Sequence, residues 1–292
     1  MARLSHVLEY IPVLAGVKLA QALPGGMADR IASGLGGLVG LLWASRRRIA
    51  MENLERALGA SLSVAERKAI TAQVFRQTAK TLFDFARMGK IAPLAPRHYF
   101  VSDGLDQLER IHSQGKGGVI VSAHFGSFEM WGLWLALTGL PMTFLTGVQH
   151  NPLVDRILSG FRHELGVQII PKNQALRGVL RALKEGRFVA LLADQHDANG
   201  VVIDFFGRPA GTPKGPAFFA IKSGAPIIPY MMRRESHDRH ILMAGQAIYP
   251  PGSGDIEADA RIMTTAYSSF FEECIRRYPQ QWLWTHRRWK LD

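Results

Sequence analysis

An α/β fold, with a largely parallel sheet flanked by helices on both faces and an N-terminal membrane-associated helical segment, is what this sequence predicts. Two observations carry the expectation. From about residue 104 onward, short apolar β-branched runs alternate with helical segments and are divided by glycine, proline or asparagine, the pattern of strand–helix–strand units. That alternation suits strands buried between helices on two faces. Finally, two apolar stretches near the N-terminus precede Arg46-Arg47-Arg48.

Taken in order, residues 10–24 are apolar but carry Lys18 and two prolines, and Ile31–Ala44 is a glycine-rich run. Neither reaches the roughly 18 to 20 uninterrupted apolar residues of a membrane span, and no signal-peptide pattern is present. The expectation for 1–50 is an interfacial or re-entrant anchor with the arginines at lipid phosphates. Two helices buried against the remainder are the alternative. Residues 51–292 form the α/β domain. Ser63-Val-Ala-Glu66 reads as a capping box opening an amphipathic helix to about Met88, with Ile70, Val74, Phe75, Ala79, Leu82 and Phe83 inward. Pro93 and Pro96 break the chain. Helices follow near 104–114, from 127, at 152–165 and at 174–185, interleaved with strands at 117–123, 142–146, 166–170 and 187–192. Strands near 226–232 and 240–248, joined by the polar turn Arg233 to Arg239, suggest an antiparallel edge, and a helix over 256–277 closes the fold. No internal repeat or low-complexity linker is present.

Lys and Arg total 35 against 24 Asp and Glu, a net charge of +11. The excess favours anionic partners: a phosphorylated lipid, an anionic membrane surface, acyl carrier protein or nucleic acid. Nucleic acid is set aside, because no zinc-ligand cluster, helix-turn-helix or aromatic RNA-binding signature accompanies the charge. Cys274 is the single cysteine, which excludes an intramolecular disulfide and multi-thiolate metal sites and fits a reducing compartment.

The most informative stretch is Gly117-Gly-Val-Ile-Val-Ser-Ala-His-Phe-Gly-Ser-Phe-Glu129. His124 ends the predicted strand and Glu129 lies in the first turns of the next helix, at the carboxyl edge of the sheet where open α/β folds bind ligands. On one continuous helix, five residues would separate the side chains by about 140°. A bend between them lets the carboxylate reach the imidazole, fix its tautomer and stabilise the imidazolium. Spacing alone is weak evidence, since His98/Asp103 and His150/Asp155 share it. His98 follows a proline in a connector and His150 precedes Asn151-Pro152 at a helix start, so only His124 ends an apolar strand. A structural histidine capping the turn is the alternative.

The run resembles the His-four-residues-acid motif of glycerolipid and lysophospholipid acyltransferases, and its surroundings resemble the late acyltransferases of bacterial lipid A biosynthesis. Arg47-Arg48-Ile49-Ala50 with Asn53-Leu54, Asn151-Pro152 with Asp155-Arg156, Ala193-Asp-Gln195, Phe205-Phe-Gly-Arg-Pro209, Thr212-Pro-Lys-Gly-Pro216, Ala225-Pro-Ile-Ile-Pro229 and Gln281-Trp-Leu-Trp-Thr-His-Arg-Arg-Trp-Lys290 carry the likeness. The chain departs from the commonest form at Ser127-Phe128, where Asn-Trp is usual, and at Gln149-His150, where basic residues often stand. Both positions bear on the acceptor and the acyl chain.

The resemblance implies an N-terminal inner-membrane anchor and a membrane-associated O-acyltransferase on the cytoplasmic face. Acyl carrier protein would be the donor, with acyl-CoA competing, and a glycolipid, a lipid A precursor, the acceptor. His124 would act as general base, oriented by Glu129, with direct attack on the thioester needing no acyl-enzyme, metal or cofactor. A lysophospholipid or mannosylated phosphoinositide is the alternative acceptor. From another class comes a catalytically silent lipid-binding scaffold, which leaves the His124 and Glu129 pair unexplained.

Further residues are expected to serve the substrates. Phe205 and Phe206 beside Arg208 suit an acyl chain and an anionic head group, with core packing as the alternative. Thr212 reads as a helix N-cap with Pro213 at the first position, and Lys214 would attract phosphate. Arg156 and Arg162 could share a phosphate-facing helix surface or merely a solvated one. Asp194 ends a strand and could assist the site, ranked below Glu129 because acidic residues often simply form turns. Trp282, Trp284 and Trp289 face either the lipid interface or the domain.

Overall fold

Burial on both faces organises the central strands. In the computed structural model, which describes residues 3–94, 99–102 and 104–290, β2 (Gly118–Ser122) is buried at every position and β5 (Phe188–Leu192) at all but its last. They pair in parallel, Gly118 opposite Phe188 through Ser122 opposite Leu192. With β1 (Phe100–Ser102), β3 (Met142–Thr146), β4 (Gln168–Pro171), β8 (Ile227–Arg234) and β9 (His240–Ala244) they form a seven-stranded sheet ordered β1-β9-β8-β2-β5-β3-β4. Pairing is parallel except between β8 and β9, so the expected antiparallel pair exists. It is not the edge, because β1 adds beyond β9. A separate hairpin, β6 (Val201–Asp204) and β7 (Pro209–Thr212), was not anticipated.

The helices are α1 (Leu4–Ala22), α2 (Gly25–Leu42), α3 (Ala44–Leu58), α4 (Val64–Ala86), the short α5 (Met88–Ile91), α6 (Leu105–Ser113), α7 (Phe128–Leu137), α8 (Pro152–Glu164), α9 (Ala175–Lys184), α10 (Gly215–Ser223) and α11 (Ile256–Arg277). The Ser63 capping box opens α4 as read: its hydroxyl accepts from Glu66 N–H and Glu66 returns a bond to the Ser63 N–H. The buried stripe of α4 runs through Val74, Phe75, Thr81 and Phe85 and leaves Leu82 exposed. One core cluster joins α9, α10 and α11 to one side of the sheet, and a second joins α6 and α7 to the other.

The N-terminal helices α1, α2 and α3 all pack on α4. Ala28, Ala32, Gly36 and Gly40 recur every fourth residue on the buried face of α2, which packs on α4. A Cβ on Gly36 would lie 2.5 Å from the Phe75 carbonyl oxygen, so close helix approach demands glycine there. The rest of its surface exposes Leu35, Leu38, Val39, Leu41 and Leu42, Trp43 beyond its end is exposed as well, and α1 exposes Leu4, Leu8 and Ile11. Among the described residues no helix is long and apolar enough to cross a membrane. His98, Asp103 and Pro96 lie outside the described residues.

Candidate active site

Parallel register brings the chemistry together. Two residues beyond the pair Ser122 and Leu192 come His124 and Asp194, and the Nδ1–H of His124 donates to Asp194 Oδ1 at 2.8 Å. The His124 backbone N–H donates to Asp194 Oδ2 at 3.0 Å, and Trp282 Nε1 donates to the same oxygen at 2.8 Å. Burial would push the Asp194 carboxyl up, but His124 and these bonds hold it below its ordinary value. Burial would likewise pull the His124 imidazole down, and Asp194, aided by Glu129, raises it instead. The carboxylate thus stays charged and fixes the tautomer that leaves Nε2 as acceptor.

The turn after His124 is held by the C-terminal segment. Gly126 has φ 53°, its N–H donates to the Gln281 carbonyl and its carbonyl accepts from the Thr81 hydroxyl at 2.7 Å. A Cβ there would strike the Met232 carbonyl oxygen. Leu283 N–H donates to the His124 carbonyl, and Asn53 Nδ2 donates to the carbonyls of Trp284 and His286 at 2.7 and 2.6 Å. Ser127 N–H is engaged by the Met232 carbonyl. The Ser127 hydroxyl is fully buried and makes no hydrogen bond.

His124 opens onto a cavity of about 740 Å³ beyond the strand ends, a size suited to a small-molecule or chain-like ligand. Glu129 and Arg162 line it together, with Arg162 Nη2 3.4 Å from Glu129 Oε1 and its guanidinium 5.1 Å from the centre of the Phe85 ring. Burial raises the Glu129 carboxyl despite Arg162 and His124. Apolar walls come from Phe85, Met88, Trp131, Phe144, Leu165 and Phe219, and polar ones from Gln149, Lys172, Gln195 and His196.

Several expectations need correction. Asp194, not Glu129, holds the imidazole; Glu129 faces Arg162 because α7 carries it past the bend and into the cavity. Phe205 and Phe206 do not line the cavity. They are 2% and 5% exposed and pack with Trp282, Trp284 and Trp289, because the hairpin turn folds under the docked C-terminal segment. Those three tryptophans are buried too. Arg208 is exposed and donates to the Arg56 carbonyl at 3.1 Å. Arg156 is exposed on α8, away from the cavity that Arg162 enters. Thr212 is no N-cap: it ends β7, and its hydroxyl accepts from Arg288 Nη2. The N-cap of α10 is Lys214, which is exposed between the cavity-lining Pro213 and Gly215. His150 sits on the surface against Glu9 at 3.1 Å. Sequence reading missed the contributions of Lys172, Gln195 and His196, with Gln195 signalled only by its place in the resemblance-carrying Ala193-Asp-Gln195, whereas Gln149, singled out as a departure from the common form, does line the cavity.

A family model described as bacterial lipid A biosynthesis acyltransferase matches residues 2–291. The chain is similar to a phosphatidylinositol mannoside acyltransferase of Mycobacterium tuberculosis (strain ATCC 25618 / H37Rv), 30% identical over 205 residues, which is 66% of this chain and 60% of that relative. It therefore spans less than two thirds of that protein's length. It is 28% identical to a lipid A biosynthesis palmitoleoyltransferase of Escherichia coli (strain K12) over 84% of this chain and 79% of the relative. With the lipid A biosynthesis lauroyltransferase of the same strain it shares 24% identity over 93% and 88%.

Proposed function

Because the chain belongs to the bacterial lipid A biosynthesis acyltransferase family, we propose that it moves a fatty acyl chain from an acyl carrier protein or acyl-CoA thioester to a hydroxyl of a phosphorylated glycolipid at the inner membrane's cytoplasmic face. The observation that carries this reading is the His124–Asp194 pair opening onto a large cavity with apolar walls and a cationic rim. In the proposed step, Nε2 of His124 takes the acceptor hydroxyl proton as the oxygen attacks the thioester carbonyl. The tetrahedral intermediate collapses, the C–S bond breaks, and the imidazolium returns the proton to the leaving thiolate. Oxyanion donors would come from Phe128 onward, since the N–H groups of Gly126 and Ser127 are already engaged. Arg162, held by Glu129, would meet the anionic part of a substrate. A lipid A precursor is the first acceptor, as the family and the E. coli relatives' names support. A mannosylated phosphoinositide is the second, favoured by the mycobacterial relative's name. Both offer a sugar hydroxyl near phosphate.

The test is incubation of the purified protein with labelled acyl carrier protein thioester, acyl-CoA and a panel of lipid acceptors. Transfer to a phosphorylated glycolipid that disappears in His124→Ala supports the reading. Transfer that persists undiminished in that variant refutes the mechanism, and label reaching only non-glycolipid acceptors refutes the substrate class.

A further inference from the structure

One helix beside the cavity presents charge that nothing among the described residues neutralises. On α9, Arg177, Arg181 and Lys184 are exposed at spacings of four and three, so they share one face over about 10 Å of helix. Lys172, just before the helix, is exposed and lines the cavity, as does Ala175 in its first turn. Lys214, at the start of α10, is exposed on the same rim, and α10 packs on α9. None of these five cations has a carboxylate or hydrogen-bond partner among the described residues. The inner face of α9 is spent on the core through Val179, Ala182 and Leu183. Its outer face is therefore purely a charge display, broken only by Leu176, which is 54% exposed.

We propose that this cationic face of α9, extended by Lys172 and Lys214 to the cavity mouth, docks a small acidic protein that presents the acyl thioester. The inference rests on the thioester-donor reading above and adds the surface on which a carrier-borne donor docks. Charge complementarity selects the partner: a row of unpaired cations steers an acidic protein surface and fixes its register, while one central apolar residue suits a small desolvated contact. A membrane surface is the poorer match. Interfacial helices insert a continuous apolar face, and that of α9 is already buried, whereas the exposed apolar face of this chain belongs to α1 and α2, which pack on α4. The row also ends where a thioester would enter, because Lys172 and Ala175 border both the helix and the cavity.

The test uses the full chain and its Arg177→Glu/Arg181→Glu variant. Holo acyl carrier protein without an acyl chain is titrated by fluorescence anisotropy at low and high salt, so that binding is read independently of catalysis. Expected are a loss of affinity of about tenfold or more in the variant and a weaker salt dependence. The ratio of kcat/KM for carrier-borne over pantetheine-borne thioester should fall in parallel. Undiminished carrier binding by the variant, or an equal loss with both thioesters, overturns the proposal. So does a variant that loses anionic vesicle binding while retaining the carrier. A protein that binds the carrier through this face but transfers no acyl group would instead refute the proposed function and leave the docking surface standing.

Discussion

Asp194 accepts the Nδ1–H of His124 at 2.8 Å because the two residues occupy matching positions, each two beyond the paired Ser122 and Leu192 of adjacent parallel strands. The carboxylate is therefore set by the sheet, not by the turn that carries Glu129.

The pH profile tests this pairing. A general base must be neutral, so kcat/KM should rise with pH until His124 loses its proton, and the raised imidazole places that limb above the ordinary value of 6.5. In Asp194→Asn the raising charge is gone while burial remains, so the limb should move to lower pH and the plateau should fall on the order of 10²- to 10⁴-fold. A limb that stays in place or moves up would mean that Asp194 does not govern the imidazole. Trp282→Phe keeps a ring but loses the N–H on Asp194, so the carboxylate stays charged and the limb should hold its place or move slightly up, with activity lowered through poorer positioning.

Glu129 and Arg162 should behave as one unit. Glu129→Gln leaves the guanidinium without its charge partner inside the cavity, and Arg162→Gln leaves a half-buried carboxylate without its own. Each single change should impair transfer, and the double change should cost well under the sum, with a coupling of about 0.5 to 3 kcal/mol. Additive losses in a double-mutant cycle on kcat/KM would separate the two residues.

Legibility followed the range of the interactions. The capping box at Ser63, the bend after His124 and the limits of α11 (Ile256–Arg277) depend on neighbours in sequence, and each was read where it stands. The partner of His124 lies 70 residues away, and no spacing rule reports which strand becomes its neighbour. Phe205 and Phe206 looked like loop aromatics because the segment that buries them, with Trp282 and Trp289, arrives more than 70 residues later. Tertiary docking decides whether such a pair is a binding surface or core, and here it is core.

Phe205→Ala should consequently act on stability. The ring is fully buried among Phe206, Trp282 and Trp289, so its removal should cost about 3 to 5 kcal/mol in urea denaturation. The order of preference among acyl-chain lengths should stay the same in whatever folded protein remains. A changed chain preference at undiminished stability would restore the acyl-pocket role.

Ser127→Ala should retain transfer within a few fold. The hydroxyl is buried, does not line the cavity and has no hydrogen-bond partner, and deleting a buried unsatisfied group removes a cost of about 1 to 3 kcal/mol, so thermal stability should hold or rise. Loss of activity together with an acyl-enzyme detected on Ser127 of the unmodified protein by mass spectrometry would replace direct attack with a covalent route.

Vesicle binding should depend more on the apolar face of α2 than on Arg46, Arg47 and Arg48. All three arginines are already engaged: Arg47 donates to the carbonyls of Gly40 and Leu41, Arg48 lies 3.6 Å from Glu52, and Arg46 donates to the Thr285 carbonyl and approaches the Trp43 ring. A juxtamembrane cation contributes about 1 kcal/mol, whereas burying one exposed leucine contributes about 1.5 to 3 kcal/mol. Leu38→Asp with Leu42→Asp should therefore abolish sedimentation with anionic vesicles. Changing the three arginines to Gln, or adding salt, should weaken it and leave a substantial remainder. Binding that vanishes with salt and survives the aspartates would assign membrane contact to charge alone, and binding indifferent to both changes would move it away from α2.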